Sequence, residues 1–152
     1  MKACALFVVA LLALPLAPPS ARAENDEIVV VVNKANPASV LSRDELRPIF
    51  QTVKTEWSDG TKAVPINLPD DDPVRQRFDE AVLGLDPDRV SRYWIDRKVR
   101  GGERPPQRVS SESAVLRVVA SSRGGVGYVR ESAADKSVKI VARLQGGRVV
   151  EP

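Results

Sequence analysis

The sequence contains no histidine, and its one cysteine and one methionine are Cys4 and Met1. Both fall in an N-terminal stretch that reads as a removable leader, so the remainder of the chain has none of the three residues. That excludes Ser-His-Asp and Cys-His nucleophilic catalysis, a structural zinc site of the usual kind, and any disulfide in an oxidising compartment. Stability must come from packing alone. An excess of charge of one sign is missing too: 23 basic residues face 20 acidic ones, and Lys2 and Arg22 leave with the leader. A nearly neutral domain carries no electrostatic footprint for nucleic acid. Long apolar runs are also absent, since the one from Ala3 to Ala17 holds Pro15 and is shorter than the roughly 20 residues that span a bilayer.

What the N-terminus does have is the three-part pattern of a secretory signal: Lys2, the apolar run, and small residues Ala21 and Ala23 around Arg22. Cleavage after Ala23 predicts a mature domain over residues 24–152, periplasmic or secreted, with no membrane span; the competing reading is an uncleaved anchor. Cys4 does not follow a Leu-x-x-Cys lipoprotein pattern.

Along the mature part, Ile28-Val29-Val30-Val31-Val32-Asn33 is β-branched without polar alternation, as in a strand buried on both faces. Leu41-Ser42-Arg43-Asp44-Glu45-Leu46 carries a capping box and a hydrophobic staple, predicting a helix from Arg43 to about Gln51, shortened or kinked by Pro48. Glu56-Trp57-Ser58-Asp59-Gly60-Thr61 predicts a tight turn closed by Asp-Gly, and Ala63 to Leu68 a strand. Asp72-Pro73 and Asp86-Pro87 are two N-cap and N1 pairs. The first starts a helix that ends at Gly84; the second starts one expected to bury Val90, Tyr93, Trp94 and Val99. A Gly- and Pro-rich loop spans Gly101 to Gln107. Ser110 or Ser111 caps a fourth helix with Val115, Val118 and Val119 inward. Strands follow at Val126 to Val129, Val138 to Ala142 and Arg148 to Val150. Strands separated by helices predict an α/β fold with a mixed sheet flanked by helices.

The order of these pieces resembles the phosphate-binding proteins of ABC transporters and their PBP-like relatives. The matching stretches are Ile28 to Asn33, Leu41 to Phe50 followed by Trp57, Val64 to Leu68 before Asp72-Pro73, and Gly124 to Val129. The last is similar to the Pro-Gly-Ala-Ile-Gly-Tyr-Val segment of that family. The resemblance implies one lobe of a type 2 periplasmic binding protein, a non-enzymatic role in the periplasm, no cofactor, and an ABC transporter or other envelope protein as partner. It also implies a phosphate site where the helix after Leu68 begins. There the relatives carry an Arg and then Ser-Gly-Thr, opposite which this chain has Leu68, Asp72, Pro73 and Val74. All four depart from the pattern, and Asp70, Asp71 and Asp72 add negative charge.

The residues that remain as ligand-binding candidates are Asn33 and Asn67, at strand ends where open α/β sheets meet their ligands, Asp71 and Asp72 in the acidic turn, and Arg75 beside it. The acidic run suits either a cation or cationic solute, or simply a helix start that favours negative charge. Gly124-Gly125-Val126-Gly127 reads as a turn with positive backbone angles. Trp57, Tyr93 and Trp94 suit packing positions. Two functions follow as expectations: a binding protein for a small solute or anion, or an envelope interaction module that contacts a transporter, sensor or enzyme without a small ligand.

Overall fold

Five consecutive side chains of the first strand, Ile28 to Val32, have no exposed surface, because the strand lies at the centre of the sheet. A computed structural model describes residues 26–102 and 104–152; the leader assigned to residues 1–23 lies outside the described residues. Strand β1 (Ile28–Asn33) pairs antiparallel with β4 (Gly125–Arg130) on one side and β5 (Val138–Gln145) on the other. Beyond β4 come β2 (Val64–Asn67) and the two-residue β3 (Gln107–Arg108), both parallel to their neighbours; beyond β5 comes β6 (Arg148–Val150), antiparallel. The sheet is therefore mixed and six-stranded, in the order β3-β2-β4-β1-β5-β6.

Among the described residues, four α-helices flank it: α1 (Arg43–Phe50), α2 (Pro73–Phe78), α3 (Pro87–Val99) and α4 (Glu112–Ser121). Their starts follow the local chemistry. The Glu45 carboxylate accepts from both the backbone amide and the hydroxyl of Ser42. Asp72, Asp86 and Ser111 cap the other three through Val74 N, Arg89 N and Ala114 N. The chain after α2 widens into a π-helical turn, Asp79–Leu83, and stops at Gly84, whose φ of 70° is left-handed. Phe78 from α2 stacks on Tyr128 from β4 with centroids 3.8 Å apart, and Phe50 from α1 meets Phe78 edge-on at 4.6 Å. This aromatic cluster ties two helices to the sheet.

Two expectations need correction. The face of α3 is not buried as its spacing implied: Val90 is buried, Tyr93 and Trp94 are half-buried, and Val99 is 81% exposed. The rings instead pack on each other and under Arg97, whose guanidinium carbon lies 5.6 Å from the Tyr93 centroid and 5.9 Å from that of Trp94. The glycines at 124 and 125 do not have positive φ. They are needed for close approach, since a Cβ on Gly124 would sit 1.8 Å from the Lys62 carbonyl oxygen. The carbonyl of Gly124 itself accepts the indole N–H of the buried Trp57 at 3.0 Å.

Candidate functional site

Parallel pairing of β2 with β3 sets Asn67 beside Arg108 at the carboxyl ends of both strands, the edge where open α/β sheets hold ligands. The turn Leu68 to Asp72 then leads into α2. Between this turn, α3, Gly102 and the segment 104–108 opens a cleft of about 940 Å³, lined by Asn67, Asp70, Arg75, Trp94, Lys98 and Arg104 among others. Among the described residues, four of its charged lining residues are basic and two acidic.

The floor is a buried ion pair. Arg75 and Asp79 are 4% and 5% exposed, one helical turn apart. Arg75 Nε donates to Asp79 Oδ2 at 2.6 Å, and Arg75 Nη1 donates to the Leu68 carbonyl at 3.0 Å and to Asp70 Oδ1 at 3.2 Å. Asp70 Oδ2 accepts from Arg108 Nη1 at 3.0 Å, so one carboxylate serves two guanidinium groups. Burial pushes the Asp79 carboxyl up to about 6, against the pull of Arg75. Burial likewise raises the Tyr128 phenol far above its ordinary value.

Tyr128 sets the orientation of Asn67. Its hydroxyl accepts from Leu68 N at 3.3 Å, and its own proton goes to Asn67 Oδ1 at 3.2 Å. The Asn67 NH₂ is thereby the free end of the amide. Arg75 Nη2 also lacks a hydrogen bond among the described residues. Neither nitrogen belongs with the sealed, unpartnered side-chain atoms, which among the described residues are Thr52 Oγ1 and Arg97 Nε. Both free donors therefore keep access to the cleft that their residues line. An oxygen acceptor entering the cleft meets two fixed N–H groups.

Of the residues singled out from sequence, Asn67 and Arg75 come together here. Asn33 lies elsewhere: its Nδ2 donates to Val119 O and Ala120 O at the end of α4, and its Oδ1 accepts from Ala35 N. Asp72 accepts from Val74 N at 2.8 Å as the cap of α2, and Asp71 is exposed; neither lines the cleft. Asp79 and Arg108 escaped sequence reasoning. The spacing of four from Arg75 was a signal for Asp79, whereas Arg108 arrives by a strand pairing that no local pattern announces. Among the described residues, no three His, Cys, Asp or Glu side chains group as a metal site, and no helix is long and apolar enough to cross a membrane.

No protein-family model and no curated protein matches the chain. Solved structures do. An ABC-type phosphate transport receptor from Vibrio cholerae superposes with a TM-score of 0.61 at 23% identity, over 76% of this chain and 45% of that one. A Clostridium perfringens substrate-binding protein with bound phosphate gives 0.61 at 21% identity, over 76% and 44%. PstS from Borrelia burgdorferi gives 0.58 at 12% identity, over 76% and 46%. The chain spans less than half the length of each of these proteins. What it shares with them is the fold: an α/β domain with a mixed sheet, equivalent to part of a phosphate-receptor protein.

Proposed function

We propose that the chain is exported with residues 1–23 as its leader and acts in the periplasm as a non-enzymatic solute-binding domain of the phosphate-receptor type, in which the cleft beside Asn67 and Arg75 is the binding face. An ABC transporter or another envelope protein is its partner. The ligand is not inorganic phosphate held at the start of α2. One observation carries that distinction: the Asp72 carboxylate already accepts the Val74 amide, and Pro73 has no amide to offer. The helix start supplies its own anion. A second anion at 4 Å from a carboxylate meets a repulsion of about 4 kcal/mol per pair of unit charges at an effective dielectric of 20.

A second reading, an interaction module without a small ligand, is favoured by the exposed apolar side chains of α3, where Ile95 is 59% and Val99 81% exposed. Two measurements test the proposal. The mass of the protein from a periplasmic shock fraction is expected to begin at Glu24; retention of Met1 to Ala23 in a membrane fraction overturns export. Calorimetric titration with inorganic phosphate is expected to give only heats of dilution; a saturable heat overturns the reading of the α2 start.

A further inference from the structure

We infer that the cleft takes a carboxylate joined to an apolar body. This rests on the reading of the chain as a solute-binding domain and names the class of solute. The two unengaged donors, Arg75 Nη2 and Asn67 Nδ2, belong to residues that are each 4% exposed, so they cannot swing to find partners elsewhere. Asp79, Leu68 and Asp70 lock the guanidinium through its other two nitrogens. Tyr128 locks the amide through its oxygen. Two fixed N–H groups with no acceptor of their own suit an anion that brings oxygens and no protons, and a guanidinium makes its strongest hydrogen bonds to such an acceptor.

The surroundings select among anions and against cations. Asp70 and Asp79 are already engaged by Arg75 and Arg108, so among the described lining residues an amine entering the cleft finds no uncommitted carboxylate. The same two carboxylates stand close to the free donors, and their repulsion grows with ligand charge; a monoanion meets half of what a dianion meets. Lys98 and Arg104, which have no ion-pair partner among the described residues, add positive charge at the lining. Apart from Gln76 and Ser91, the other described lining residues are apolar or glycine, with Val90, Trp94, Ile95 and Pro106 prominent. Fixed polar groups beside apolar side chains hold the head of a ligand and bury its body.

Fluorescence and calorimetric titrations of the purified chain with 3-phenylpropionate, 3-phenylpropylamine and inorganic phosphate test the inference. Trp94 lines the cleft while Trp57 is buried away from it, so quenching that saturates reports on the site. Expected are saturable binding of 3-phenylpropionate, none of the amine, and weakening of the acid by at least about tenfold in Asn67→Asp, which keeps the acceptor for Tyr128 and removes the free donor. The surface variant Lys98→Met, which leaves the buried network intact, is expected to weaken it less. Tighter binding of the amine, or binding of the acid that is unchanged in a folded Asn67→Asp, overturns the carboxylate assignment and leaves the solute-binding reading standing. No saturable response to any of the three probes, with a normal melting transition, overturns both.

Discussion

Asp79 shows how a single side chain couples the cleft to stability. Its folded-state value of about 6 is above the ordinary 3.8 because burial penalises the charged form more than Arg75 favours it. A raised carboxyl contributes stability that is complete below about 3.8 and is lost as pH rises through about 6, worth roughly 3 kcal/mol across that window. Urea unfolding of the wild type and Asp79→Asn between pH 4 and 7 is expected to move in favour of the variant as pH rises; a constant difference contradicts the assignment. Tyr128 makes a second residue-scale prediction. Tyr128→Phe leaves Leu68 N and Asn67 Oδ1 without their partner, and denaturant unfolding is expected to show a loss of about 1–3 kcal/mol. Asn67 and Arg75 were legible in the sequence as a strand-end amide and a cation beside a helix start. Their free donors were not, because which nitrogen is left over depends on Tyr128, 61 residues away from Asn67.

At the scale of elements, the sequence reports most where local chemistry decides. The all-apolar Ile28 to Val32 run became the central strand, and the Asp72-Pro73 and Asp86-Pro87 pairs start α2 and α3 where their caps predict. The reading fails where tertiary packing decides. Helical spacing of Tyr93, Trp94 and Val99 implied a buried face, but α3 stands over an open cleft and presents only Val90 fully to the core. The segment at Gly124 has the composition of a flexible turn, yet it is where two backbones touch. Gly124→Ala is therefore expected to cost about 3 kcal/mol by thermal or urea unfolding, because backbone, not a flexible side chain, must shift to admit the Cβ. Gly146→Ala is the contrasting case: its φ is 55° but a Cβ there meets nothing within 4 Å, so only backbone strain is added, roughly 1 kcal/mol. Equal losses at the two sites contradict this account.

For the whole molecule, the order of elements carried more information than any one motif. It led to an α/β domain like one lobe of a binding protein, and the fold agrees with part of three phosphate-transport structures over 76% of the chain. The long-range content was not legible: β3 beside β2, the cleft between them and α3, and the shared Asp70 all arise from pairings distant in sequence. The ligand question separates from the fold question for the same reason. The fold is shared with part of phosphate-transport structures, while the start of α2 is capped by its own carboxylate and begins with proline. The most direct test of that separation is the melting temperature of the purified chain with and without millimolar inorganic phosphate. A ligand at 100 times its Kd adds about 2.7 kcal/mol of stability. The account predicts an unchanged midpoint; a clear rise that saturates with phosphate contradicts it.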